Sequence, residues 1–169
     1  MEGRAKLLGH SLHPMLIVFP LGLLGGAVIF EIVYYITGNS MYSVVTYWMI
    51  ASGLIGGLVA AVFGLIDWTA IPDGTRAKSI GMMHAGTNVV VLLLFALSWF
   101  LRSGPTYQPS TFASVLAFGG LLASLAGGWL GGELVERLGV AVHEGANVNA
   151  PSSLVTDHAK TGNAKLRNV

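Results

Sequence analysis

The chain has 169 residues, is 53% hydrophobic and only 10% charged, and carries a formal net charge of +1 with a mean hydropathy of +0.68. A soluble domain carries about a quarter charged residues, so this balance predicts a membrane protein, and the small net charge leaves no basic field for nucleic acid. The absence of cysteine excludes disulfides, thiolate-held iron–sulfur clusters, covalent c-type haem and cysteine nucleophiles from this chain.

In chain order, the first apolar run covers residues 15–37, enough to cross about 30 Å of hydrocarbon at about 1.5 Å per residue. Pro14 suits its first turn, where a missing N–H costs nothing. The run is too long for a signal peptide and no A-x-A cleavage site follows it. After the turn "GNSMY" a second span covers 43–67. The loop "WTAIPDGTRAK" leads to a third at 79–101, and "RSGPTYQPS" separates it from a fourth at 111–135. The predicted fold is all-α, a polytopic membrane four-helix bundle within residues 1–138. Residues 139–169 are polar and are expected to form a flexible cytoplasmic tail.

Charge asymmetry predicts the orientation. Arg4, Lys6, Arg76, Lys78, Arg137, Lys160, Lys165 and Arg167 fall on one side of the spans, against Arg102 alone on the other. Both termini are therefore expected in the cytoplasm, with the chain integral to a bacterial cytoplasmic membrane. Tyr34, Tyr35, Tyr42, Tyr47, Trp48, Trp99 and Tyr107 would form the outer aromatic belt and Trp68 an inner anchor.

The chain holds 23 glycines, and "GLLGG", "GLIGG" and "GGWLGG" each place glycines four apart. Small residues at this spacing let helices approach closely in lipid, within one chain or between copies as a homo-oligomer. In the second span Gly53, Gly57, Ala60, Gly64 and Asp67 share a face, which points Asp67 inward.

Ionisable residues in a membrane segment are costly, so each needs an account. Topology brings His10 and His13, Asp67, His84 and Glu133 to one membrane level. His84, with Gly81 and Asn88 on its face, reads as a ligand or proton carrier, or as a neutral imidazole bonded to a neighbouring helix. His13 reads as a second ligand or as an interfacial residue at a helix start, and His10 less well as either. Asp67 would orient an imidazole, or cap its loop and meet Arg76 or Lys78. Glu133 is an alternative ligand, or more simply the partner of Arg137 at i, i+4. Glu31 shares a seam with His13 through Ile17, Pro20, Leu24 and Ala27; it reads as a buried hydrogen-bonding group or as a station on a proton or ion path. His143 and His158 fall in the polar tail and are expected to be solvated.

No G-x-S-x-G, H-E-x-x-H or P-loop pattern is present, so no catalytic residue is assigned. Each predicted hairpin begins near a histidine (His13, His84) and ends near a carboxylate (Asp67, Glu133). Residue by residue, this match is too poor to establish a 2+2 repeat.

Three stretches, "GHSLHPMLIVFPLGLLGGAVIFEIV", "GLIDWTAIPDGTRAKSIGMMHAGTNVVVLLLFALSWFLR" and "GGWLGGELVERLGVAV", resemble the four-helix membrane family known as domain of unknown function 2231. The resemblance extends to about residue 143. Its marks fall on Gly9, His10, His13, Pro14 and Met15; on Asp67, Trp68, Ile71, Pro72, Gly74, Thr75 and Ala77; and on Gly127 through Val135, including Glu133. Many relatives carry a histidine next to the position of Leu138, preceding Gly139, which this chain lacks. Some are fused to a Rieske-type iron–sulfur domain, which implies redox company.

The reading of the residues is a b-type haem held by His13 and His84, with Asp67 setting a ligand tautomer and His10, Asn88 and Glu133 as supporting or alternative ligands. A transition metal ion held by His10, His13 and His84, with metal or proton permeation along Glu31, is the alternative. A non-catalytic membrane scaffold is the third reading. The expected partners are the lipid bilayer and a Rieske-type or other redox protein.

Overall fold

The computed structural model describes residues 1–154. His158, Lys160, Lys165 and Arg167 lie outside the described residues. Among the described residues, four helical stretches are long and apolar enough to cross a membrane: Leu12–Thr37, Met41–Thr69, Arg76–Phe100 and Thr111–Arg137. The all-α four-helix architecture is as expected. A small antiparallel ribbon lies at the N-terminus, β1 (Lys6–Leu7) against β2 (His10–Ser11). Leu8 and Gly9 both take positive φ at its turn, the conformation that tight hairpins with right-handed twist require.

The first span begins earlier than expected and is broken. α1 (Leu12–Leu16) stops before Ile17, and α2 (Val18–Thr37) follows. Pro20 supplies the reason: it has no N–H for the carbonyl of Leu16, and its ring crowds that carbonyl. Gly38, in the left-handed region at φ 68°, ends α2 by donating its N–H to the Tyr34 carbonyl. α3 (Met41–Thr69) runs back. Thr75 caps α4 (Arg76–Phe100), its hydroxyl oxygen accepting the Lys78 N–H, and Ser110 caps α5 (Thr111–Gly132) through the Ala113 N–H. The last span finishes as a π-helical turn, Glu133–Arg137, rather than as continuing α-helix.

α2 packs along α3 and α4 along α5, and the two hairpins join mainly through α3 and α4. The shared core is Leu24, Ala27, Val28, Ile50, Val91, Phe95 and Ala117. Glycines form its seams: Gly53 lies under Leu24 and Gly57 under Leu92, both in a stretch the spacing marked, and Gly120, outside those stretches, lies under the Phe95 ring, each too close for a methyl group. Gly22, Gly25, Gly86, Gly119, Gly128 and Gly132 have open space where a Cβ would be. A second cluster of Ile71, Leu134 and Val140 closes the end where the N-terminal segment docks. That end, called the terminal end below, is opposite the α2–α3 turn and the α4–α5 loop.

Candidate functional site

His13 and His84 meet at the terminal end. Their ring centroids are 6.2 Å apart and their planes are perpendicular, at 89°. Each half-buried imidazole is anchored in the same way to a helix other than its own. His13 Nδ1 donates to the Ala60 carbonyl on α3 at 2.8 Å, and His84 Nδ1 donates to the Gly127 carbonyl on α5 at 2.9 Å. A carbonyl can only accept, so both rings carry a proton on Nδ1, and in a neutral imidazole this leaves the lone pair on Nε2.

Glycine makes both anchors possible. A Cβ on Gly64 would stand 2.8 Å from His13 Cε1 and Nδ1; one on Gly131 would stand 3.2 Å from His84 Cε1. Each imidazole therefore occupies the space beside a glycine one turn from the carbonyl it uses. Gly64 belongs to the seam that the 4-3 spacing marked, and Gly127 and Gly131 belong to "GGWLGG". The spacing located the seams but contained no sign that imidazoles fill them.

Asn88 lies one turn past His84. Its Nδ2 donates to the His84 carbonyl at 2.9 Å and stands 3.2 Å from Nε2 and 3.4 Å from Nδ1 of the same ring. It is the polar side chain beside the His84 lone pair. His10 does not join the pair. It is exposed on β2, where Nδ1 lies 3.3 Å from the Leu8 carbonyl. Among the described residues no three His, Cys, Asp or Glu side chains gather as a metal-binding group.

Asp67 is buried, as its seam predicted, but it touches neither an imidazole nor Arg76 or Lys78 in a hydrogen bond. Its Oδ1 accepts the backbone N–H groups of Arg4 at 2.7 Å and Ala5 at 3.1 Å, while Oδ2 has no partner among the described residues. The residues before β1 carry unpaired N–H groups that a buried carboxylate can satisfy, so Asp67 ties down the segment that leads into His13. The tautomers are set instead by backbone carbonyls. Lys78 is held by the carbonyls of Trp68 and Ile71, faces Asp73 at 3.3 Å and lies 3.9 Å over the Trp68 ring.

Glu133 pairs with Arg76 across the α4–α5 interface at 2.5 Å, not with Arg137 as the i, i+4 spacing suggested. The π turn that begins at Glu133 changes the helical register on which that spacing depended. Glu2 lies between Lys6 and His143, with His143 Nε2 at 3.2 Å, and the Met1 amine donates to the Gly139 carbonyl at 2.8 Å. The Lys6 ammonium, aided by the Glu144 N–H and His143, holds the Glu2 carboxyl below its ordinary range, against a smaller opposing effect of burial.

Glu31 sits at the other end of the bundle in a buried polar network. Arg102 Nη2 donates to its Oε2 at 2.7 Å, and Ser114 donates to its Oε1 at 2.6 Å. Tyr35 donates to Ser114 at 2.6 Å, and Ser98 donates to the Ala113 carbonyl at 2.7 Å. The Glu31 and Arg102 side chains are 1% and 0% exposed. Sequence reasoning counted Arg102 as a loop charge and missed this pairing. The available clue was that a lone arginine and a lone membrane carboxylate fell on the same side.

No curated protein and no solved structure matches the chain. Residues 9–144 match the family described as "Predicted membrane protein (DUF2231)", a span that includes His13, His84, Asp67, Glu133 and all four candidate membrane helices. With four apolar helices in the arrangement described and most of its length inside that match, the chain belongs to the DUF2231 family of membrane proteins.

Proposed function

We propose that this integral membrane protein is an electron-transfer module whose His13 and His84 hold a b-type haem through Nε2. The observation that carries this reading is the imidazole pair: two rings from different helices, 6.2 Å apart, both held with Nδ1 protonated. Two imidazoles bound on opposite sides of one metal, through bonds of about 2.0 Å, have ring centres roughly 6 Å apart. A tetrahedral angle would bring them closer. The number of ligands points the same way. Haem supplies four of its iron's six donors, so two protein ligands suffice, whereas a structural zinc site takes four from the protein.

When bound, the haem supplies one-electron chemistry, and the work of this chain is to hold it. The Ala60 and Gly127 carbonyls fix the ring orientations and make the imidazoles more basic. Gly64 and Gly131 leave room for the rings, and Asp67 anchors the segment ahead of His13. The positive-inside count supports a cytoplasmic terminal end, and the burial of Arg102 takes the one opposing charge out of the loop. The site would then exchange electrons near the cytoplasmic face of a bacterial membrane, with a Rieske-type or other redox protein as partner.

The test is an absorption spectrum of the detergent-purified protein, expressed with added haem precursor, before and after dithionite. A Soret band that sharpens on reduction, and is lost in both His84→Ala and His13→Ala, is the expected result. A spectrum without a Soret band overturns the proposal. Bound metal found by elemental analysis of that colourless protein would assign the pair to a small ion instead.

A further inference from the structure

The turn between β1 and β2 has Leu8 and Gly9 at its tip, and Leu8 sits there at φ 50°. Turns of this kind ordinarily place Asn, Asp or Gly at such a position, because a larger side chain is strained in the left-handed region. Core packing does not put a leucine there: Leu8 is 68% exposed and Leu7 beside it 53% exposed. Ser153 lies against Gly9, with its hydroxyl 3.5 Å from His10 Nδ1, yet the two leucines stay open. A bulky apolar residue in a costly conformation, which nothing among the described residues buries, points to a surface outside the chain.

The fold says which surface. The base of the ribbon is pinned to the bundle: the Leu12 N–H donates to the Ala5 carbonyl at 2.8 Å, and Asp67 holds the N–H groups of Arg4 and Ala5. The first membrane-spanning stretch begins at Leu12, directly after β2, so the ribbon lies where that span leaves the hydrocarbon. Exposed apolar surface continues from there along the span through Met15, Ile17, Val18 and Phe19. Arg4 is exposed and has no carboxylate partner among the described residues; its Nη1 donates to the Thr69 hydroxyl at 3.4 Å. An exposed cation beside exposed leucines matches anionic headgroups over acyl chains. A docked protein matches less well, since a specific interface takes about 800 Å² from each partner and two leucines offer a small part of that.

We propose that the Leu7–Leu8 turn is an interfacial anchor. It inserts into the headgroup–acyl boundary of the bilayer beside the first span, and so fixes the segment that leads to His13 against the membrane surface. The anchor depends only on the membrane class of the chain and is independent of haem.

The chain has no cysteine, so Leu8→Cys gives the full-length protein a single attachment point for the environment-sensitive dye NBD. The labelled protein is placed in nanodiscs of phosphatidylethanolamine and phosphatidylglycerol, where both faces meet the buffer. Asp73→Cys carries the same dye as the water-facing reference: it lies in the α3–α4 loop at the same end, with its side chain 94% exposed. The expected result is a blue-shifted emission at position 8 that headgroup-level nitroxide lipids quench more than aqueous iodide does, with the reverse at position 73. Emission and quenching at position 8 that equal those at position 73 overturn the proposal. A blue shift without nitroxide quenching also overturns it, because protein rather than lipid then covers the turn. Should Leu8→Cys fail to fold, Leu7→Cys is read in its place by the same criteria.

Discussion

Gly64→Ala adds one methyl group, and its effect follows from the packing around His13. The new Cβ would lie 2.8 Å from two atoms of the imidazole, closer than carbon atoms approach, so the ring must leave the Ala60 carbonyl. Overpacking of this kind costs about 1–3 kcal/mol, and the displaced hydrogen bond about 1 kcal/mol more. Alanine's better helix propensity returns about 1 kcal/mol. The net loss is about 1–3 kcal/mol, or a Tm lower by roughly 2–12 °C for a chain of this size. Gly86→Ala is the internal control: it lies two residues from His84 with nothing within 4 Å of a new Cβ. There propensity acts alone, and Tm should rise by roughly 1–4 °C. Gly131→Ala, with its closest contact at 3.2 Å, should fall between the two. Thermal unfolding in one detergent gives the order, and haem content in the same samples should fall for Gly64→Ala and hold for Gly86→Ala. A Gly64→Ala protein as stabilised as Gly86→Ala would refute the seat.

Three further outcomes are expected. Glu31→Gln leaves the Arg102 guanidinium buried without a counter-charge and should cost about 3–5 kcal/mol in denaturant unfolding; a loss under about 1 kcal/mol would mean that the pair is solvated. Asp67→Ala removes the acceptor of two backbone N–H groups, so the segment before β1 should become sensitive to limited proteolysis while the helices stay intact; unchanged cleavage would show that Asp67 does not hold it. The depressed Glu2 carboxyl contributes stability that is present above its unfolded value of 4.5 and lost as pH falls through its lower folded value. Protection of the first residues' amides, taken relative to the intrinsic exchange rate at each pH, should therefore fall only on acidification through that window and lose this response in Glu2→Gln, and a loss of protection near neutral pH would contradict it.

Composition and periodicity determined the membrane class, the four spans and the glycine seams, because in lipid a helix satisfies its own backbone and its length and apolarity can be read locally. The inward face of α3, with Asp67 on it, was legible for the same reason: burial follows helical period. Residues on different helices obey no such rule. That His13 finds His84, and Glu31 finds Arg102 from 71 residues away, depends on how each helix is rotated about its axis and on which neighbour lies beside it. The groups that set the imidazole tautomers are main-chain carbonyls, which every residue has and no sequence pattern distinguishes. Even the local i, i+4 reading of Glu133 with Arg137 failed, because a π turn changed the register and brought Glu133 to Arg76. The sequence by itself determined which faces are buried; only the tertiary structure decided what meets across them, because contact between helices depends on their rotation and stagger, which no single helix encodes.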